Sequence, residues 1–392
     1  MDQYIIIKQG NIYDAIREEP FTGDILVKNG KIERIAEIIE GRVVNDAEII
    51  DATGLRVYPG FVEAHSHMGL DGYAGDYLQD DFNELNDCIT PQLSAIDGIN
   101  PMDPCFEKAV RAGVTCVATG PGSSNILGGT FAVIKTAGKR VDDMVIKEKA
   151  AMKCAFGENP KNCYKDKSIY CRMTIAAKLR EMLQKAVEYD KKELEYDAKL
   201  EALLPVIHKE MPLKAHVHRA DDIFTAIRIA KEFDVDLTLD HCTEGHLIAE
   251  YLAKEGYPVA VGPSFGHPTK KELEHKSFET PGILAKAGCE VSIITDSPVV
   301  QQQYLAFSAG MAIKAGMKEY QALQAITIHA ARHVGVGDRV GSIEEGKDGD
   351  FVILNGSPFV VESDILYVLI NGKIEYKQDP HSASVVIPEH RM

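Results

Sequence analysis

Four of the thirteen histidines fall in two H-x-H pairs: His65-Ser66-His67 closes the run LRVYPGFVEA, and His216-Val217-His218 closes LKA. Both runs read as buried strands. Alternation along a strand sends residues two apart to the same face, so each pair can offer two imidazoles to one divalent ion. Alone, an H-x-H pair is a weak motif, and any one of these side chains would serve as a hydrogen-bonded core histidine.

Order along the chain strengthens the signal. If His67 ends a first strand, Glu158 in AMKCAFGENPK lies about three strand–helix units on, at the expected end of the fourth strand. His216 then ends the fifth, His241 in LTLDHCTEG the sixth, and Asp296 in VSIITDSP the eighth. In a (β/α)8 barrel the C-terminal strand ends form the catalytic mouth. The spacing therefore gathers four histidines and two carboxylates, an N/O ligand set for a divalent metal.

The elements needed to hold them can be read from texture. Between about residues 59 and 344, short apolar runs such as VTCVATG, VDLTLDH, YPVAVGPS and EVSIITDS alternate with helical stretches. That pattern implies βα units and a parallel sheet, here a TIM barrel. Residues 172 to 208 exceed one unit and read as an elongated or inserted helix, with Leu179, Leu183 and Ala186 on one face. Residues 1–58 and 345–392 differ, being strand-rich with Asn-Gly hairpin signals at Asn29-Gly30 and Asn371-Gly372. Both ends are expected to build one small β-sandwich domain beside the 59–344 barrel.

Composition limits the remaining choices. The 392 residues are 45% hydrophobic and 26% charged, enough for packed cores. The formal charge of −16 repels phosphate backbones and anionic lipid, so neither nucleic acid nor a membrane is an expected partner. The N-terminal MDQYIIIKQGN is too short in apolar length for a signal peptide, and a cytoplasmic enzyme is expected. Eight cysteines form no C-x-x-C pair, which argues for reduced thiols over disulfides or a zinc ribbon.

PGFVEAHSHMG, the β-rich ends around a barrel, the later histidines and the TDS aspartate together resemble the metal-dependent amidohydrolase superfamily, in particular its imidazolonepropionase-related and dipeptidase-like branches. The resemblance spans essentially the whole chain and implies fold and metal chemistry more than substrate. It implies that His65 and His67 hold a first ion with Asp296, that His216 and His241 hold a second, and that Asp296 shuttles protons. It implies a shared ligand on the fourth strand, either glutamate or carbamylated lysine; Glu158 is preferred over Lys153 because it stands at the strand's expected end. Zinc is the expected metal, one or two ions per chain, acidifying a water to a pKa of about 7. For a small-molecule substrate, the loop TGPGSSNILGG, placed after the third strand, offers Ser123 and Asn125, while His218, Arg219 and His267 are further binding candidates.

The reaction expected is hydrolysis of an amide, cyclic amide or dipeptide-like C–N bond. Deamination, or a single-metal site of the imidazolonepropionase kind, is the alternative. A third reading takes Gly262-Pro263-Ser264-Phe265-Gly266 as a nucleophile elbow followed by Asp296 and by His329 or His333, but His267-Pro268 stand where the elbow's helix should begin. His208, His246, His275, His329, His333, His381 and His390 are expected to have no role. Homo-oligomerisation is compatible with the sequence.

Overall fold

The structure, a computed structural model, describes residues 2–40, 47–72, 80–192 and 195–379. His381 and His390 lie outside them. Both chain ends build one sheet from β1 (Tyr4–Ile12), β2 (Phe21–Lys28), β3 (Lys31–Ala36), β4 (Glu48–Asp51), β5 (Arg56–Pro59), β14 (Phe351–Leu354), β15 (Ile365–Ile370) and β16 (Lys373–Lys377). Its order is β16-β15-β14-β5-β1-β2-β3, with β4 on β1, so the C-terminal strands enter through β5. The sheet encloses a buried apolar cluster that includes Ile7, Ile25, Val57, Phe351 and Leu369.

The Asn-Gly turns join β2 to β3 and β15 to β16. Asn29 and Gly30 have φ of 50° and 83°, Asn371 and Gly372 of 49° and 66°. These left-handed conformations suit the twist of a two-residue hairpin. The two turns pack on each other: a Cβ on Gly30 would come within 2.8 Å of the Asn371 carbonyl oxygen.

The second sheet runs in sequence order through β6 (Phe61–Ser66), β7 (Val114–Thr119), β8 (Leu127–Lys135), β9 (Val145–Ala155), β10 (Leu213–Val217), β11 (Leu237–His241), β12 (Val259–Val261) and β13 (Val291–Ile293). It curls into a nearly closed barrel of the (β/α)8 kind. Strands β7, β10 and β11 are buried along their whole length, as expected when helices cover a parallel sheet. Helices Ala220–Phe233, Ala249–Glu255 and Thr280–Ala287 connect successive strands from β10 to β13. The long helix reads as expected, Arg172–Asp190, and buries Leu179, Leu183 and Ala186.

Glu63 on β6 ties the first strand to the segment beyond the last. Its buried carboxylate accepts from the backbone N–H and hydroxyl of Thr295 at 2.9 and 2.7 Å and from Gln302 Nε2 at 3.0 Å. Burial pushes its carboxyl up to about 7.

One strand departs from the all-parallel expectation. β8 runs antiparallel to both β7 and β9. The Gly-rich loop therefore links the second and third strands and does not follow the third; the turn residues after VTCVAT reverse the chain without a helix. The reversed strand brings Phe131 close to His65, with ring centroids 5.3 Å apart.

All eight cysteines are free. No helix among the described residues is long and apolar enough to cross a membrane.

Candidate metal centre

His65 lies in β6 and His67 just beyond its end, and both are buried. His67 Nδ1 lies 2.7 Å from the Gly120 carbonyl oxygen, and His65 Nδ1 lies 2.9 Å from Asp240 Oδ2. These oxygens only accept, so each ring donates from Nδ1 and keeps its Nε2 lone pair. Both Nε2 atoms turn to Asp296, whose Oδ1 is 3.4 Å from that of His65 and 3.2 Å from that of His67. Asp296, just past β13, has φ of 52°, a left-handed conformation uncommon outside glycine.

A second group stands beside the first. His241 and His218 are pinned through Nδ1, the first to the Gly262 carbonyl oxygen and the second to Thr243 Oγ1, each at 2.8 Å. His216 presents its other edge, with Nε2 3.5 Å from Asn159 Nδ2. His241 and His218 Nε2 and His216 Nδ1 are left buried without a hydrogen-bond partner among the described residues. The ring centroids of His241 lie 4.4 Å from His216, 4.8 Å from His218 and 4.9 Å from His65.

One ligand atom each from His216, His218 and His241 fits within 4.8 Å, as does one each from His65, His241 and Asp296. Buried polar atoms left unpaired are costly, and three such imidazole nitrogens lie in this one group without a protein partner among the described residues. A divalent cation resolves that arrangement, and imidazole with carboxylate suits zinc and its neighbours.

The electrostatics favour the ligating state. Burial, then repulsion among neighbouring cationic groups, holds His216 and His218 well below the usual imidazole range, and burial lowers His241 to about 3. Neutral imidazole is the form that binds metal. Burial opposes ionisation of Asp296, but His241, His65 and His67 outweigh it and hold the carboxyl well below its usual range.

The predicted set is brought together except at the fourth strand. β9 ends at Ala155, and Gly157, with φ of 83°, turns the chain, so Glu158 begins the helix Glu158–Tyr164. Its carboxylate accepts from the Glu272 N–H at 3.1 Å, and it joins neither group of candidate ligands around the histidines. Lys153 remains in the strand, fully buried, with Nζ 3.4 Å from His65 Nε2. Burial, reinforced by Lys214, pulls its amine down to about 8 against the attraction of Asp240.

The substrate candidates divide. A cavity of about 560 Å³ opens over the centre, with His67, His216, His218 and Asp296 on one side and Ser123, Asn159, His267 and Lys270 on its walls. Asn125 does not line it: its amide donates to the Asp87 carbonyl oxygen and Thr90 Oγ1 and accepts from Tyr164, an internal brace for the loop. Arg219 is also elsewhere, half-exposed and paired with Asp221 at the start of the following helix. His218 belongs with the unpartnered imidazoles as well as with the cavity.

Ser264 has no helix at its back, since the next helical turn is Lys271–Leu273. His329 is engaged with the Val291 carbonyl oxygen.

Several contributors escaped sequence reading. Asp240, Lys214 and His333 form a buried polar group behind His65, where the sequence gives His333 no role. One signal was available for Lys214. It lies two residues before His216 in an otherwise apolar strand, on the ligand-bearing face. Asn159, which donates to Ser123 Oγ at 2.7 Å and accepts from Lys270 at 2.7 Å, had none.

The model of the Amidohydrolase family matches residues 56–374. Amidohydrolase tasK of Hapsidospora irregularis is 27% identical over 94% of this chain and 42% of its own length. An adenine deaminase of Lactobacillus delbrueckii subsp. bulgaricus is 22% identical over 90% of this chain and 56% of its own. The chain thus spans about half the length of these relatives. The crystal structure of an amidohydrolase from Thermotoga maritima MSB8 superposes with a TM-score of 0.92 at 40% identity, covering 95% of this chain and all of the other.

Proposed function

The chain belongs to the amidohydrolase family, and we propose that it is a divalent-metal-dependent hydrolase of a carbon–nitrogen bond in a small molecule. The observation that carries this reading is the set of buried, unpartnered imidazole nitrogens of His216, His218 and His241 beside the His65–His67–Asp296 group. His65, His67 and Asp296 would hold one ion, and His216 and His241 a second, with His218 close enough to join it. Lys153 takes the shared position from Glu158, its amine adding carbon dioxide to give a carbamate and releasing a proton. Zinc is the expected metal, and the barrel of residues 59–344 is proposed as the catalytic domain, set off from the 1–58 and 345–392 domain.

When bound, the metal supplies an acidified water and polarises the scissile carbonyl. The chain's own residues do the rest. Asp296, whose side chain is 16% exposed and reaches the cavity, accepts a proton from the attacking water and returns it to the leaving nitrogen. The carbonyl oxygens of Gly120 and Gly262 take the Nδ1 protons of His67 and His241 and so leave their Nε2 lone pairs toward the centre, while Thr243 anchors the His218 ring. Ser123, His267 and Lys270 offer donors along the wall to fix the substrate's polar end.

Deamination is the second reading, favoured by the adenine deaminase that matches nine-tenths of the chain. The test is metal analysis of the purified protein together with a panel of amides, cyclic amides, dipeptides and aminopurines, followed by ammonia and carboxylate release. Bound metal with amide turnover is the expected result; protein that neither binds divalent metal nor hydrolyses any of the panel would overturn the proposal.

A further inference from the structure

Behind His65, in the barrel interior, stands a buried polar group. Lys214 is 1% exposed and Asp240 0%. Lys214 Nζ donates to Asp240 Oδ1 at 2.8 Å and to the Ala64 carbonyl oxygen at 2.9 Å. His333, at the end of the helix Ile328–His333, brings Nε2 to 3.2 Å from the same Oδ1. The other oxygen, Oδ2, accepts from His65 Nδ1.

We infer that Lys214 and His333 are positioning residues for the metal centre, acting on His65 through the carboxylate of Asp240; the inference rests on the metal-hydrolase reading above. Two donors on Oδ1 fix the plane of the carboxylate, and that plane aims Oδ2 at His65. The His65 ring is thereby held with Nε2 facing Asp296 and Lys153. An apolar side chain of similar volume would fill the interior at less cost than a buried ammonium, so packing alone does not account for a lysine here. Register supports the same view. Lys214 pairs with Lys153 across β9 and β10, one pleat below His216, so the charged layer lies directly beneath the imidazole layer.

Loss of a side chain that orients a ligand commonly costs 10- to 100-fold in metal affinity. The test uses the full chain, reloaded with zinc or cobalt, and measures affinity by chelator competition in K214M, H333L and H333Q. The first two should weaken an ion by about 10- to 100-fold. Where two ions bind, the loss should fall on one and leave the other near the wild-type value. H333Q, whose amide Nε2 takes the place of the imidazole Nε2 beside Asp240, should recover most of the affinity.

A merely structural role would lower the melting temperature of the metal-free protein without that split and without rescue by glutamine. Folded K214M and H333L that bind metal as the wild type does would overturn the inference and leave the proposed function standing. Wild-type protein that binds no divalent metal would overturn both. If K214M fails to fold, the contrast between H333L and H333Q decides alone.

Discussion

His65 Nδ1 stands 2.9 Å from Asp240 Oδ2, although 175 residues separate the two in the chain. The contact joins the first barrel strand to the sixth, and it turns the His65 lone pair toward Asp296. Asp240 also faces Lys214 and His333, so removing it leaves an ammonium buried and uncompensated. Asp240→Ala should cost about 3–5 kcal/mol of stability and lower the metal content. Urea unfolding with metal analysis reads both, and an unchanged midpoint with full metal would contradict the assignment.

The two fourth-strand candidates separate cleanly. Lys153→Met removes the amine beside His65 and should reduce bound metal and turnover at least 10-fold. Glu158→Gln alters a carboxylate that caps the Lys271–Leu273 turn and should keep full metal stoichiometry. Metal counting on both variants decides, and the reverse pattern would restore Glu158.

Asp296→Asn keeps the shape of the side chain but removes its basicity. With metal reloaded, kcat should fall by about 10²- to 10⁴-fold. Steady-state rates at saturating metal measure this, and a variant within a few-fold of wild type would exclude Asp296 as the proton carrier.

Acid should destabilise the metal-free protein. His241 and His333 are lowered to about 3 and about 4 chiefly by burial, and His216 and His218 also lie well below 6.5. Below pH 6.5 the unfolded chain takes up protons that these folded imidazoles refuse, so stability drops as pH falls from 6.5 toward 3. Glu63, raised to about 7, and Asp71, raised to about 6, work in the opposite sense, while Asp240 and Asp296, held well below their usual range, lose stability with acid as the imidazoles do. Thermal melts across pH 4 to 7 should show Tm falling with acid, and a flat or rising profile would contradict the neutral buried cluster.

Arg219 is paired with Asp221 at the surface, where such pairs contribute about 0–1 kcal/mol. Arg219→Ala should leave KM within about twofold and stability within about 0.5 kcal/mol. A large rise in KM would return the residue to the substrate's reach.

Where one residue's type and neighbours suffice, the chain was legible. Asn29-Gly30 and Asn371-Gly372 announce hairpins because few other pairs tolerate two left-handed positions, and both form. The His65 and His67 pair could be read because strand alternation alone puts both rings on one face. Glu158 was misplaced because a strand's end depends on a local backbone choice, here the turn at Gly157, that apolar runs do not mark. The reversal of β8 was equally invisible: its sequence is as apolar as a parallel strand, and direction is settled by how the Gly-rich loop folds back.

Element types, the two β-rich ends around a barrel and the candidate imidazoles follow from periodicity and side-chain chemistry, which are local. The partner of each imidazole does not. Gly120 under His67, Asp240 under His65 and Gly262 under His241 come from other strands and loops, and only closure of the barrel brings them within hydrogen-bond distance. Those contacts decide which nitrogen keeps its lone pair, and burial decides that the pair stays unprotonated. Both are long-range effects of packing, set by the folded chain as a whole.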